Sequence, residues 1–295
     1  MVWIPQKTLD GSFTFFSEEF GEAFHSSQGA RAEALSKFAQ ATDLTQQAER
    51  GKLCLLDVCY GLGYNTAAAL ETIWAANPHC EIILYGLEQD ITVPQATCAS
   101  PIAGSTPALL SAWSPEVQTV LATIAQTQQC FIPRLQATLL IGDARQTIQQ
   151  LQGFQADAIF FDPFSPRRCP HLWTVEFFVQ VACCLAPRGK LATYSRSASV
   201  RSAMLAAGLQ IGTIPLGEMH LPHEWAQGTV AAFEAQSLHP LSQMEQEHLQ
   251  TRAAVPYRDP NLSDRPEVIL QRHQQEQQRS TLESTSSWRR RWQIH

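Results

Sequence analysis

The sequence has no apolar run long enough to cross a membrane, which takes roughly 18 consecutive apolar residues. Its beginning does not read as a targeting segment either, because Lys7 and Asp10 appear before any apolar stretch has formed. These two absences predict a cytoplasmic protein that does not bind membranes.

Disulfide and metal-ligand patterns are also absent. The eight cysteines include no C-x-x-C pair and several stand in apolar stretches, so we expect reduced, buried thiols. His220 and His223 share an H-x-x-H spacing, but no cysteine or acidic partner stands at the usual ligand spacing. We therefore expect no metal site.

Positive charge is in deficit, since 21 Lys and Arg stand against 27 Asp and Glu, a net charge of −6. This balance excludes a protein that coats nucleic acid non-specifically. The deficit is uneven, because residues 1–133 carry a net −8, residues 134–201 a net +4 and residues 202–295 a net −2. One basic stretch in the middle of the chain is therefore available for a specific anionic partner.

Patterns of buried strands alternate with helical patterns through the central part of the chain. A strand covered on both faces is apolar along its whole length, and helices between such strands indicate βαβ units. The seven predicted strands are Leu53–Val58, Ile82–Leu87, Ala137–Ile141, Ala158–Phe161, Lys190–Tyr194, Leu209–Ile214 and Thr229–Phe233. We predict an α/β fold with a doubly wound, Rossmann-like, seven-stranded sheet.

This map divides the chain into three parts. Residues 1–50 form an N-terminal flank that is helix-prone around Ala30–Gln47, and residues 51–235 form the sheet domain. Within that domain, the long stretch 91–134 between two strands predicts a cap. Residues 236–295 form a polar, Gln-rich C-terminal extension. We expect an extended arm that packs over the domain, with a helix starting near Pro266 and a flexible tail at Trp288–Trp292.

The most informative segment is the turn that follows the first predicted strand. It runs Asp57-Val58-Cys59-Tyr60-Gly61-Leu62-Gly63-Tyr64-Asn65 and opens a helix. Glycines in such a turn let the backbone approach a ligand closely. The spacing is not the G-x-G-x-x-G of dinucleotide sites, which favours a ligand without a pyrophosphate.

Further acids end the next three predicted strands. Glu88 is placed to accept both hydroxyls of a ribose, Asp143 stands beside an amide that suits an adenine edge, and Asp162 begins the proline-bracketed loop Asp162–Pro166. Any one of these acids alone is typical of an ordinary turn. Together with Asp57 they place four carboxylates at the edge where such sheets bind ligands.

Several longer runs carry a family resemblance. They are Asp10-Gly11-Ser12, His25-Ser26-Ser27-Gln28-Gly29-Ala30 and Glu33, the turn 57–65, Asp162-Pro163-Phe164-Ser165-Pro166 with Pro170, Leu172-Trp173-Thr174 and Phe177-Phe178, and Ala192-Thr193-Tyr194 with Val200-Arg201 and Ala207-Gly208-Leu209. The order of motifs resembles the class I S-adenosylmethionine-dependent methyltransferases. Over roughly 10–235 the runs are similar to the methyltransferase domain of the bifunctional tRNA wobble-uridine modification proteins.

The resemblance implies an N-methyltransferase that uses S-adenosylmethionine and methylates the amine of 5-aminomethyl-2-thiouridine at the wobble position of tRNA. It implies cofactor contacts from the turn, namely Asp57, Gly61, Gly63 and Asn65, and from Glu88 at the ribose and Asp143 at the adenine. Asp162 would face the substrate amine. Nothing in the chain resembles the flavin oxidoreductase half of the bifunctional relatives, so we expect a stand-alone methyltransferase.

Three departures from the family pattern stand out. Cys59 and Pro163 each replace a glycine, and the segment 217–224 has no Lys or Arg where relatives are basic. If that segment binds tRNA in relatives, this chain binds tRNA through other residues or binds another partner.

The residues around Asp162 predict the substrate side of the site. We expect Asp162 to hold the amine and take its proton, Phe164 to stack on the uracil ring, and Arg167 and Arg168 to contact phosphates of the anticodon loop. The oligomeric state is left open by the sequence.

Two other functions remain as alternatives. An aminopropyltransferase of the spermidine-synthase type has similar acidic strand ends, although Arg167 and Arg168 would repel its polyamine substrate. A methyltransferase-like protein that only binds tRNA or a protein is the second, with Cys59 and Pro163 as marks of lost activity.

Overall fold

The structure is a computed structural model that describes residues 3–99, 109–215 and 225–294. The non-basic segment 217–224, with His220 and His223, lies outside the described residues. Within the described ranges, no helix is long and apolar enough to span a membrane.

An eight-stranded sheet forms the centre of the molecule, and two small hairpins precede it. The strands are β1 Gln6–Lys7, β2 Phe13–Thr14, β3 Phe16–Ser17, β4 Glu22–Ala23, β5 Lys52–Val58, β6 Glu81–Glu88, β7 Gln129–Ile132, β8 Leu135–Ile141, β9 Ala156–Phe161, β10 Leu185–Thr193, β11 Gln210–Ile214 and β12 Gly228–Ala232. The central sheet has the order β11-β12-β10-β9-β5-β6-β8-β7. Strands β10, β9, β5, β6 and β8 are parallel, while β12 and β7 run antiparallel to their neighbours.

The α/β fold and all seven predicted strands are confirmed, and the described sheet contains one more. Strand β7 forms a hairpin with β8 at the sheet edge. It is only four residues long and Phe131 is 63% exposed, so it lacks the continuous apolar run of a buried strand. Strand β10 also begins at Leu185, earlier than predicted, with a register shift before Lys190.

Helices cover both faces of the sheet. The α-helices are α1 Ala30–Ala34, α2 Leu44–Gln47, α3 Tyr64–Ala76, α4 Thr92–Thr97, α5 Pro115–Thr127, α6 Ala144–Thr147, α7 Val175–Cys183, α8 Ala198–Ala206, α9 Gln243–His248, α10 Pro266–Arg279 and α11 Thr285–Trp292. Strand β5 shows why two layers are needed, since Leu53 and Leu55 belong to one buried cluster and Leu56 and Val58 to the other. Side chains alternate across a strand, so an apolar strand requires cover on both sides.

The N-terminal flank combines the predicted helices with unpredicted hairpins. A π-helical segment, Leu35–Gln40, joins α1 to the following turns. The hairpins β1–β2 and β3–β4 have strands of two residues each, too short to show any periodicity in the sequence.

Most of the predicted cap, 91–134, packs into the domain where it is described. Helix α5 buries Val117, Val120, Leu121 and Ile124 in the cluster on the α3 side of the sheet. Residues 100–108 lie outside the described ranges, so the cap remains a prediction.

The C-terminal extension packs on the sheet domain and contains helices α9, α10 and α11, and the prediction of a flexible tail at Trp288–Trp292 was wrong. Helix α10 starts at Pro266 as expected, and Ile269 is fully buried against the sheet domain. The residues Trp288–Trp292 belong to helix α11, in which Trp288 is 1% exposed. The buried side chains of Ile269 and Trp288 therefore hold the extension in place, although its average composition is polar.

Candidate active site

A cavity of about 810 Å³ lies over the carboxyl ends of β5, β6, β8 and β9. Five of the predicted site residues line it: Gly61, Glu88, Asp143, Asp162 and Phe164. Asp57, Gly63 and Asn65 are absent from its wall, and of these three Asn65 donates a hydrogen bond to the wall residue Asp162. Arg167 and Arg168 are exposed and do not line it.

The turn after β5 needs left-handed backbone at three positions. Cys59, Gly61 and Gly63 have φ of 68°, 53° and 76°, and a Cβ on Gly63 would lie 2.7 Å from the Tyr60 hydroxyl oxygen. Amides of Cys59 and Tyr60 both donate to the carbonyl of Leu87, at 3.0 and 2.9 Å. The turn therefore keeps its tight form despite the cysteine, which adopts a conformation that costs a non-glycine residue about 1–2 kcal/mol.

Asp57 stands behind the turn, fully buried. Its Oδ2 accepts a hydrogen bond of 2.7 Å from the Thr66 hydroxyl, whereas Oδ1 is buried without a partner among the described residues. Burial raises the pKa of Asp57 to about 7, against the opposing effect of the bonds from Thr66. The carboxyl fixes the start of helix α3 and keeps one acceptor oxygen unused.

Glu88 closes the turn from the end of β6. Its Oε2 accepts from the amide of Gly61 at 2.7 Å and its Oε1 from the amide of Asp90 at 2.9 Å. Each carboxylate oxygen has room for a second donor. Burial raises the pKa of Glu88, although these amide bonds oppose the effect. The side chain is thus held rigidly at the cavity wall with acceptor capacity to spare.

Asp143 is held by a chain of charges that reaches the C-terminal extension. Arg145 donates from Nη2 to Asp143 at 2.6 Å and from Nη1 to Asp259 at 2.8 Å. Asp259 is fully buried, and its Oδ1 accepts from the amides of Ser263 and Asp264 at 3.1 Å. Burial alone would raise the pKa of Asp143, but the hydrogen bonds and charge of Arg145 hold it below its ordinary value. Arg145 thus holds Asp143 in place and connects it to the C-terminal extension.

Asp162 combines burial with negative neighbours. Its Oδ2 accepts a hydrogen bond of 2.9 Å from Asn65 Nδ2. Burial and the nearby charge of Glu33 raise the pKa of Asp162 well above its ordinary value, with only partial relief from the Asn65 bond. Glu33 also lines the cavity and forms an ion pair with Lys37. A carboxyl in this state is a stronger base than an exposed one.

The loop after Asp162 is fixed by side chains from three other segments. The Tyr194 hydroxyl donates to the carbonyl of Pro163 at 2.9 Å, Trp173 Nε1 to the carbonyl of Phe164 at 2.8 Å, and the amide of Ser165 to Glu22 at 3.0 Å. These bonds position Asp162 and make the loop rigid.

Phe164 lies inside an aromatic cluster. Phe20 stacks on it with ring centroids 4.4 Å apart, and Phe24 meets it edge-on at 5.0 Å. One face of the Phe164 ring is therefore covered by the N-terminal flank. Stacking on a substrate base, which stays a prediction, has only the remaining exposed part of the ring available.

Sequence reasoning missed the contribution of the N-terminal flank to the cavity. Glu22, His25 and Glu33 all line it, and burial lowers the pKa of His25 to about 4, so its imidazole is neutral. The family motifs around His25 and Glu33 were the only sequence features that pointed to this flank, and their spacing gives no indication that they lie near Asp162.

Half of the basic side chains in the stretch 134–201 are already paired. Ion pairs join Arg134 to Glu116, Arg145 to Asp143 and Asp259, Lys190 to Asp43, and Arg201 to Glu245. Arg201 and Glu245 are each 1% exposed, so this ion pair is buried. Within the described ranges, Arg167, Arg168, Arg188 and Arg196 form no ion pair with an acid.

The residues at the sheet edge suit S-adenosylmethionine. Glu88 has unused acceptor capacity at the cavity wall, the glycine turn lies close by, and the unpartnered Oδ1 of Asp57 lies behind that turn. Fold and site together define a class I S-adenosylmethionine-dependent methyltransferase.

Comparison with known proteins gives the family. A family model described as S-adenosyl-L-methionine-dependent methyltransferase matches residues 107–216. The crystal structure of MnmC2 from Aquifex aeolicus superposes with a TM-score of 0.81 at 30% identity, over 95% of this chain and 86% of that chain. The chain belongs to the MnmC2 family of S-adenosylmethionine-dependent methyltransferases.

Longer curated proteins also match. The tRNA 5-methylaminomethyl-2-thiouridine biosynthesis bifunctional protein MnmC of Azoarcus sp. is 28% identical over 213 residues, covering 68% of this chain and 32% of that protein. The protein of the same name from Methylibium petroleiphilum is 31% identical over 202 residues, 66% of this chain and 30% of that protein. The chain spans about a third of the length of these curated relatives.

Proposed function

We propose that the protein transfers a methyl group from S-adenosylmethionine to the primary amine of 5-aminomethyl-2-thiouridine at the wobble position of tRNA, in the cytoplasm. The observation that carries the proposal is Asp162, a half-buried carboxyl with a raised pKa in a rigid loop of the cavity that Glu88 also lines. The curated relatives that bear the name of this tRNA modification support the choice of substrate.

In this proposal the cofactor lies along the carboxyl edge of the sheet. The turn residues Gly61 and Gly63 leave room for its methionine part, with Asp57 and Asn65 behind them. Glu88 would accept hydrogen bonds from the ribose hydroxyls, and Asp143 would accept them from the adenine edge. S-adenosylmethionine supplies an electrophilic methyl group on a positively charged sulfur.

Asp162 prepares the nucleophile. An alkylamine is protonated at neutral pH and must lose a proton before its lone pair can attack. An arriving ammonium favours the ionised carboxylate by its opposite charge, and the buried carboxylate then accepts that proton or orients the neutral amine. The bond from Asn65 fixes the direction of the carboxylate.

Arg167 and Arg168 contact phosphates of the anticodon loop in this proposal. Both are exposed and follow the Asp162 loop directly, without an acidic partner in the described part of the chain. A basic pair outside the cavity mouth suits a substrate whose reactive base enters while its backbone stays outside.

Support for the two alternatives is weaker than for the methyltransferase. The family match speaks for methyl transfer over aminopropyl transfer. Arg167 and Arg168 do not line the cavity, however, so their charge does not exclude a polyamine from it. The organised Asp162 loop and the intact glycine turn speak against a protein that only binds.

The test is transfer of a labelled methyl group from S-adenosylmethionine to tRNA taken from cells that lack this protein. We expect label in tRNA, and digestion should place it in 5-methylaminomethyl-2-thiouridine. Transfer to a protein or a small amine with tRNA unlabelled would refute the proposed substrate. The Asp162→Ala protein is the control, and it should bind cofactor normally and transfer no label.

A further inference from the structure

A second cavity, of about 730 Å³, adjoins the Asp162 side of the first. Tyr194 lines both cavities, and its hydroxyl holds the loop carbonyl of Pro163. Lys37, in the wall of the second cavity, forms an ion pair with Glu33, in the wall of the first. The two cavities are therefore separated by side chains that also organise the reaction site.

An aromatic surface lies in this second cavity. Trp225 and His248 line it, with ring centroids 5.2 Å apart, and Trp288 supports both from below. Trp288 lies 5.8 Å from Trp225 and stacks on His248 at 4.3 Å. This packing holds the Trp225 ring in place, half-buried, with part of it accessible.

Positive charge without an acidic partner borders the aromatic surface. The Arg196 guanidinium lies 5.5 Å from the Trp225 ring centroid and donates to the carbonyl of Ala226, and it is exposed. Arg289 is also exposed and lies near His248. Burial lowers the pKa of His248 to about 4, with help from the charges of Arg201 and Arg289, so its ring is neutral at physiological pH. Neither Arg196 nor Arg289 forms an ion pair with an acid in the ranges that the structure describes.

We propose that this groove, defined by Lys37, Arg196, Trp225 and His248, holds the RNA nucleotide next to the one whose base enters the Asp162 cavity. The inference rests on the proposed function, since it takes the acceptor to be tRNA. The base of the neighbouring nucleotide stacks on Trp225, and its phosphate is bound by Arg196.

The chemistry of the groove favours a single-stranded nucleic acid over a protein partner. Accessible aromatic rings beside unpaired guanidinium groups are the usual means of binding a strand without reading its sequence. The groove also begins where the reaction cavity ends, and adjacent nucleotides of one strand need adjacent sites. Part of the tRNA binding is thereby assigned to Arg196 and Trp225, and Trp288 of helix α11 packs against the Trp225 ring.

The test compares KM for tRNA in Arg196→Ala and Trp225→Ala with two control variants. Arg188→Ala removes an exposed arginine from the N-terminal half of strand β10, and Phe131→Ala removes an exposed aromatic ring from the far edge of the sheet. Loss of a base–aromatic stack should raise KM for tRNA by about 5- to 150-fold. Arg196→Ala should also lower the slope of log affinity against log salt by about 1. The controls should leave both quantities unchanged.

The KM for S-adenosylmethionine separates an RNA contact from general damage. It should remain at the wild-type value in both groove variants, whereas a structural defect would alter it as well. Because Trp225 is part of an aromatic cluster, Trp225→Phe and Arg196→Gln serve as milder variants. Wild-type KM for tRNA in Arg196→Gln and Trp225→Ala, with the controls equal, would overturn the inference.

Direct binding of a labelled anticodon stem-loop distinguishes the two failures. If the wild-type protein does not methylate tRNA, the proposed function fails, and equal stem-loop binding by wild type and Arg196→Gln would reject the groove as well. If the wild-type protein methylates tRNA and the variants bind the stem-loop equally well, only the groove is rejected.

Discussion

Replacing Asp162 by asparagine removes the proposed base while keeping the shape of the side chain. The amide of the Asp162→Asn variant retains an oxygen that can accept the hydrogen bond from Asn65 Nδ2, which lies 2.9 Å from the wild-type carboxylate. Glu88 and Asp143, the proposed cofactor residues, are untouched, so the dissociation constant for S-adenosylmethionine should stay within about twofold of wild type. The variant therefore isolates the proton-accepting role.

The expected loss in kcat follows from that role. A positioned acid or base contributes about 10²- to 10⁴-fold, which corresponds to about 3–5 kcal/mol of transition-state stabilisation. The pH dependence should change as well. Wild-type kcat should fall as Asp162 becomes protonated, whereas the residual activity of the variant should lack this acidic limb.

Stability should change in the opposite direction. Since the folded-state pKa of Asp162 is raised, the folded protein holds this proton more tightly than the unfolded chain does. The wild type then loses stability as pH rises from about 4 toward the folded-state pKa, and the Asp162→Asn variant does not. We expect a higher Tm for the variant at pH 8 and convergence of the two proteins near pH 4.

Single-turnover methylation of tRNA, with thermal unfolding at several pH values, measures both effects. A variant that methylates within about threefold of the wild-type rate would refute the role of Asp162 in proton transfer. A variant whose Tm is lower than that of wild type at pH 8 would refute the raised folded-state pKa of Asp162.

Three further predictions concern the cofactor turn, the C-terminal extension and the tRNA contact. Gly63→Ala should weaken S-adenosylmethionine binding and lower stability by about 2–4 kcal/mol, because it combines left-handed backbone with a steric clash. Gly153→Ala, with φ of 79° and open space around its Cβ position, should cost only about 1–2 kcal/mol and leave binding unchanged, as thermal unfolding and calorimetry will show. Asp259→Asn should raise KM for S-adenosylmethionine and leave kcat nearly unchanged, because Asp259 holds Asp143 through Arg145. In Asp259→Glu, KM should return part of the way to the wild-type value. Equal KM for wild type and Asp259→Asn in steady-state assays would contradict this chain of contacts. The double variant of Arg167 and Arg168 to Ala should raise KM for tRNA and flatten its dependence on salt between about 50 and 200 mM, and an unchanged salt slope would count against phosphate contacts.

The placement of the acids and the glycine turn at one sheet edge, the proposed cofactor side of the site, could be predicted from the sequence because its signals are local. Glu88, Asp143 and Asp162 each follow a continuous apolar run, and parallel strands bring their carboxyl ends to one edge. The glycine turn adds a conformational requirement that a few residues express. Each of these features can be read within about ten residues of sequence.

The substrate side could not be predicted in the same way. Glu33 lies near Asp162 only because the N-terminal flank folds over the sheet edge, and Phe20 covers Phe164 for the same reason. Conversely, Arg167 and Arg168 follow the Asp162 loop in sequence but do not line the cavity. Proximity along the chain was a poor guide to proximity in space at this end of the site.

Average composition also misrepresented two regions. The extension 236–295 is polar, yet Ile269 and Trp288 anchor it, and Asp259 reaches the cofactor side of the site through Arg145. The net charge of +4 over 134–201 does not describe a free basic face, because half of those cations are paired. The unpaired Arg196 beside Trp225 is a better indication of a partner surface than the net charge of residues 134–201.

Analysis of the wobble nucleoside in tRNA from living cells is the direct test of the proposed methylation. A strain that lacks this protein should accumulate 5-aminomethyl-2-thiouridine in its tRNA. Expression of the wild-type protein should convert that nucleoside to 5-methylaminomethyl-2-thiouridine, and expression of Asp162→Ala should not. Identical wobble nucleosides in the strains with and without the protein would contradict the proposed methylation of tRNA by this protein.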